Sequence, residues 1–303
     1  MYSFLKLIRY KNLIFIALTQ LLIKYSLFNL MDADTVLSDF GYSLMIFANI
    51  CLAASGYIIN DIYDVASDKI NKPEKMIVGK KISEKTATRF FFLLSIIGVG
   101  IGFYLANLVD KPGFTAIFVF SSALLYLYAS YLQQVILAGN ILISILVAGV
   151  VLLPGLIDLF PATNEFNKQN QSLIFSILLD YTLFAFLLNL LREMVKDQED
   201  INGDYNAGIT TLPIVYGVQR TNKVIFGLGL FTAGIIIYYV YSYLFENIAA
   251  VLYTLILILG PLFYFLAYIP TASRKKEFTR LSIVLKLVLF FGLISIGLHQ
   301  YII

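Results

Sequence analysis

The sequence predicts an all-α, polytopic membrane protein with nine spans, and three observations carry that prediction. Hydrophobic residues fill 59% of the 303 positions and charged residues only 14%, against about 25% charged in soluble domains. Mean hydropathy is +0.83. Apolar runs of about 20 residues, each long enough to cross a bilayer as a helix, recur along the whole length. An ordinary soluble protein is excluded, and a single membrane-embedded domain over 1–303 is expected.

In chain order the runs are 13–31, 40–59, 90–109, 114–134, 138–157, 172–191, 224–245, 248–269 and 282–302. The first is too long, and too poor in small residues at its end, for a cleaved signal peptide. The segments between runs alternate in charge. With the N-terminus in the cytosol, eighteen of the 22 Lys and Arg fall on the cytoplasmic side, a bias that fixes orientation. Lys111 and Lys168 lie opposite, beside acids that include Asp32, Asp39, Asp110 and Asp158. Lys24, Asp180 and Lys286 fall inside spans. Lys24 is expected to snorkel outward and Lys286 toward the cytosol, with Asp180 near the outer surface. Two long cytoplasmic loops, roughly 60–89 and 192–223, are the places for chemistry.

Other chemistries drop out. One cysteine, Cys51, and one histidine, His299, exclude disulfides, thiolate metal sites and histidine-held zinc. The net charge of +3 is small, and no nucleic-acid partner is expected.

The first loop opens on "NDIYDVASD" and the second on "REMVKDQEDINGD". Asp61, Asp64 and Asp68 share the pattern D-x-x-D-x-x-x-D with Asp197, Asp200 and Asp204, each 136 residues further on. Each set follows an even-numbered span, the second and the sixth. The repeat has the look of an internal duplication, whose halves often meet at a central membrane site. On a helix such acids share a face about 60° wide and rise over about 10 Å. Like charges so placed repel, the more so near lipid. Two such faces would need cations between them. Mg²⁺ suits, being held by one or two carboxylates together with phosphate oxygens and water. Two acidic walls bridged through metal to a phosphorylated ligand are therefore expected; solvated acids at helix ends are the plainer account of either motif alone.

Basic residues accompany the acids. Lys75 and Lys81 in the first loop, and Arg192 and Lys196 at the second, are candidates for holding a diphosphate. Inside a greasy bundle, a lipid diphosphate is the natural ligand. Ionising an allylic C–O bond leaves a carbocation, and metal takes up the departing charge. Tyr126, Tyr128 and Tyr131 in "LLYLYASY" offer faces to such a cation, although an interfacial aromatic belt is the simpler account of any one of them. Arg9, Asn12 and, more weakly, Asn189 are candidates for the cavity wall.

At this point the residues resemble a known family. "NDIYDVASDKINKPEKMIVG" resembles the first signature of the UbiA superfamily of intramembrane prenyltransferases, and "KDQEDINGDYNAGITTLP" its second. "LIRYKNLIFIALTQ" and "AGN" at Ala138–Asn140 are similar to the starts of its first and fifth helices. The resemblance implies nine helices around a central cavity under two cytoplasmic cap loops, with Mg²⁺-dependent transfer from a prenyl diphosphate. It implies a first metal site at Asn60, Asp64 and Asp68 and a second at Asp200 and Asp204, with Asp61 and Asp197 beside them. Asp64, Asp68, Asp200 and Asp204 would carry the catalysis. Within the superfamily, the second motif is most similar to the geranylgeranylglycerol-phosphate geranylgeranyltransferases, implying geranylgeranyl diphosphate as donor and a glycerol phosphate lipid as acceptor. Prenylation of an aromatic quinone precursor is the alternative, and a cation transporter the alternative of another class. The chain departs from the family at Lys75-Met76, where Arg-Pro is usual, and at Gln133 and Gln134, where lysine is usual.

Overall fold

The computed structural model describes residues 2–71, 73–74 and 76–298. Among them, nine helices are long and apolar enough to span a membrane. They are α1 (Tyr10–Phe28), α2 (Asp39–Tyr63), α3 (Glu84–Leu108), α4 (Pro112–Ser130), α5 (Ala138–Ala162), α6 (Lys168–Asn206), α7 (Val218–Leu244), α8 (Ile248–Thr271) and α9 (Lys275–Gly297). The chain is a multi-pass integral membrane protein. Serine starts two of these helices: Ser38 Oγ accepts from the Gly41 N–H, and Ser83 Oγ from the Thr86 N–H, each satisfying a donor that a helix N-terminus leaves orphaned.

Both expected loops are more helical than their polarity suggested. α6 continues through the second acid motif to Asn206, a length of 39 residues or about 58 Å. That is nearly twice a bilayer's hydrocarbon core. The acids are polar but nothing breaks the helix before Gly208, whose φ of +74° ends it while the Ile209 N–H caps the Asp204 carbonyl. The first motif, by contrast, does not lie on one unbroken helix. α2 stops at Tyr63, Asp64 turns the chain (φ −82°, ψ 2°), and a short helix Val65–Asn71 follows. After it, Met76, Ile77 and Val78 are buried in a tight turn closed by a Val78–Ile82 bridge.

Two cores divide the bundle. One joins α2, α3, α4 and α5 through residues such as Met45, Leu105, Phe118 and Ile157. The other joins α6 to α9 through Leu191, Ile225, Leu262 and Leu285. A third, at the end remote from the acid motifs, ties α1, α5, α6 and α9 together through Leu27, Val151, Leu178 and Ile296. Phe92, Phe103, Phe120 and Phe231 are exposed, as side chains facing lipid would be.

Close approach of α3 to its neighbours rests on glycine. A Cβ at Gly102 would stand 2.2 Å from the Phe118 ring, and one at Gly98 2.8 Å from Leu52. Gly102→Ala is therefore expected to lower stability by about 1–3 kcal/mol through overpacking. Gly100→Ala, where nothing lies within 4 Å, should be neutral or stabilising. Unfolding midpoints of the two variants in detergent check the ordering.

Lys24 does not snorkel. It is 5% exposed, and Asp158, expected in a loop, is 0% exposed. Lys24 Nζ lies 2.9 Å from Asp158 Oδ2 and donates also to Thr35 Oγ1 at 3.0 Å. The second carboxylate oxygen accepts from the Leu37 N–H at 2.7 Å. This ion pair fastens the α1–α2 connection onto α5.

Candidate active site

The motif-bearing end of the bundle opens into a cavity of about 1020 Å³ between the two half-cores. Its wall begins at Arg9, which adopts a left-handed backbone conformation (φ 49°) between the short helix Tyr2–Leu7 and α1. Such backbone in a non-glycine residue persists only where surroundings hold it. Here the guanidinium meets Asp61 Oδ1 at 2.9 Å and lies 4.8 Å from the centre of the Tyr57 ring. Asn12 Nδ2 donates to the Tyr57 hydroxyl at 3.2 Å. Burial works against the charge on Arg9, yet Asp61 and Asp64 hold it above the ordinary arginine value. The start of α1 is thus stapled to the end of α2.

Asp64, at the helix break, takes a hydrogen bond from Asn60 Nδ2 and a second from Gln133 Nε2 at 3.0 Å. Burial, and then the like charge of Asp68, push its carboxyl up to about 6; Gln133 and Arg9 only partly offset this. Across the cavity, Asp197 Oδ2 accepts from Asn140 Nδ2 of α5 at 2.9 Å. Asp200 lies 3.8 Å from Lys275 Nζ. Glu193, which sequence reasoning missed, binds both Lys196 (2.7 Å) and Arg192 (3.0 Å). An acid between two bases in "REMVK" was the available signal. The short helix Val65–Asn71 packs along α6, which sets the two motifs side by side.

Asn60, Asp61, Asp64, Asp68, Asp197, Asp200 and Asp204 all line this one cavity, and Arg9, Asn12, Lys81, Tyr128, Arg192 and Lys196 join them. Lys75 lies outside the described residues. Tyr126 and Tyr131 do not line the cavity: they are 45% and 61% exposed, and Tyr126 meets Tyr63 hydroxyl to hydroxyl at 3.3 Å on the outer surface. Tyr126 is two positions from Tyr128, and residues two apart on a helix face different ways. Tyr131 sits past the helix end (φ −141°). Lys286, expected to reach for the cytosol, instead lines the cavity.

The donor set fits Mg²⁺. Among the described residues no three carboxylates converge closely enough to cage an ion by themselves. What the cavity presents is oxygen donors in two sets, one containing a carboxyl that burial and a like charge leave poorly compensated. That suits an ion held by one or two carboxylates and completed by phosphate and water.

Comparisons with known proteins agree with this geometry. The model of the UbiA prenyltransferase family matches residues 23–293. The chain is 32% identical to the digeranylgeranylglyceryl phosphate synthase of Hyperthermus butylicus over 217 residues, 71% of this chain and 68% of that protein. It is 31% identical to the synthase of the same name from Methanosphaera stadtmanae over 237 residues, 77% and 79% of the two chains. Among solved structures, one concerned with digeranylgeranylglyceryl phosphate synthase in membranes superposes with a TM-score of 0.67 at 24% identity, covering 98% of each chain. A UbiA homolog from Archaeoglobus fulgidus bound to GPP and Mg²⁺ superposes at 0.60 with 16% identity, covering 97% of this chain and 99% of that one. These structural likenesses speak to the fold.

Proposed function

The chain belongs to the UbiA prenyltransferase family, and from that premise we propose that it transfers a geranylgeranyl group from geranylgeranyl diphosphate to a hydroxyl of geranylgeranylglyceryl phosphate, releasing diphosphate. The observation that carries this reading is the shared cavity: two matched acid motifs at its mouth, and apolar walls beyond them. The names of the relatives support the choice of acceptor. Arg9, Lys6 and the other basic residues at the motif end support a cytoplasmic mouth.

Asp64 and Asp68, with Asn60, would hold one Mg²⁺, and Asp200 and Asp204, with Asp197, another. Mg²⁺ bound there neutralises charge on the departing diphosphate. Asn60 and Gln133 fix the Asp64 carboxylate, and Asn140 fixes Asp197, so their oxygens need no rearrangement when the donor arrives. Lys81 and Lys196 line the same mouth and add charge toward the diphosphate. The allylic C–O bond breaks and its electron pair leaves with the diphosphate. The acceptor oxygen then bonds to that carbon, and its proton passes to a surrounding carboxylate. Tyr128 presents a ring to the developing cation, within apolar walls that keep water away.

The test offers the purified protein geranylgeranyl diphosphate and either geranylgeranylglyceryl phosphate or an aromatic quinone precursor. Product and pyrophosphate are expected with the first acceptor, and loss of both on chelation of Mg²⁺. Product only with the aromatic acceptor, or Mg²⁺ flux in liposomes without any prenyl substrate, would overturn the assignment.

A further inference from the structure

Lys286 is a cation placed well inside a membrane helix, where charge is costly and marks a pathway or binding site. It is exposed to the cavity that it lines. Its described contact is with an aromatic face: Nζ lies 5.5 Å from the centre of the Phe15 ring, and Phe15 packs edge-on against Phe290 of α9. No carboxylate among the described residues pairs with it.

The register of α9 against α6 fixes where Lys286 sits. Thr279 Oγ1 donates to Glu199 at 3.0 Å, and the Tyr181 and Ser295 hydroxyls meet at 3.0 Å further along. The two helices therefore run antiparallel. Seven residues from the Thr279–Glu199 contact on each helix come Lys286 and Arg192, level with one another and roughly 10 Å deeper. Arg192 lines the same cavity; its Nη1 is paired with Glu193 at 3.0 Å, while its buried Nε finds no hydrogen-bond partner. Two cations thus face one space below the acid motifs, with one buried donor still to be satisfied.

We infer that Lys286 and Arg192 form the subsite for the phosphate of an anionic lipid acceptor. The inference rests on the glycerol phosphate reading above and deepens it. Two anions must share the cavity, the donor's diphosphate and the acceptor's phosphate, and at low dielectric they repel strongly. The acid motifs with their metal serve the first. The acceptor's phosphate, two carbons from the hydroxyl that reacts, must lie near that centre without entering it, and the Lys286–Arg192 level meets this requirement. Arg192, expected from its place in the motif to hold diphosphate, is reassigned accordingly.

The experiment compares wild type, Lys286→Met and Lys286→Arg with geranylgeranyl diphosphate as donor. Each is given the phosphorylated acceptor and the same lipid lacking its phosphate. Lys286→Met should raise KM for the phosphorylated acceptor roughly tenfold to a hundredfold, the worth of a charge-assisted hydrogen bond. KM for the donor and for the phosphate-free lipid should change less than about twofold, and Lys286→Arg should recover most of the loss. An acceptor KM left unchanged by Lys286→Met, an equal loss with both lipids, or a matching rise in donor KM would overturn the subsite while leaving the glycerol phosphate reading intact. A wild type that uses the two lipids equally well would overturn both.

Discussion

Asp64→Asn is expected to lower kcat/KM by about 10²–10³-fold, the usual cost of removing one preorganised electrostatic contact in a charge-separating step, and to do so without unfolding the protein. The substitution keeps the volume and one oxygen of the side chain. Gln133 and Asn60 lose only part of their partner. What vanishes is the charge, and with it the means of holding a divalent ion beside a diphosphate. The metal-free protein should tolerate the change well, because Asp64 and Asp68 repel one another across a partly buried gap. Asp204→Asn should behave alike from the other wall. The double variant should fall little below either single one, since groups that act as a unit are grossly non-additive. Pyrophosphate release under saturating Mg²⁺, beside an unfolding midpoint, separates the two effects. A folded Asp64→Asn protein within tenfold of wild type would remove this carboxylate from the chemistry.

What could be read from the sequence divides along physical lines. The nine spans were legible because an apolar run of bilayer length has few other uses. The ends of α6 were not: hydropathy reports apolarity, and the acids of "KDQEDINGD" are good enough helix residues to carry the helix on until Gly208. Conversely, spacing on a helix face predicted one continuous wall for Asp61, Asp64 and Asp68, and the turn at Asp64 interrupts it. Of the three tyrosines only Tyr128 reaches the cavity. Tyr126 misses it for a reason visible in advance, since positions 126 and 128 point apart on any helix, and Tyr131 lies past the helix end. Glu193 takes its partners, Arg192 and Lys196, from its own helix, so local spacing did carry that signal. Lys286 was present as a charge in an odd place, but the aromatic ring it meets, Phe15, lies on another helix. Pairing across the bundle leaves no trace in local spacing.

The Lys24–Asp158 pair shows this most sharply, its partners being 134 residues apart, and it carries the largest expected effect on stability. Asp158→Ala should cost about 3–5 kcal/mol, because it strands a buried ammonium. Thr35 and the Leu37 carbonyl, at 3.0 and 3.4 Å, are neutral acceptors and do not replace a carboxylate. The Tyr42 face, 5.0 Å away, adds some compensation. Removing both charges in Lys24→Met with Asp158→Leu should be less damaging than Asp158→Ala alone, as buried pairs replaced by apolar residues often are. It should not be free, since the Leu37 N–H then loses its acceptor, a deficit of about 1–3 kcal/mol. The ordering follows from desolvation: the pair stabilises little relative to hydrocarbon, and half a pair is worse than none. Unfolding midpoints of the three proteins in one detergent decide it. A double variant less stable than Asp158→Ala would mean that the ion pair itself, and not the avoidance of a lone charge, holds the α1–α2 connection in place.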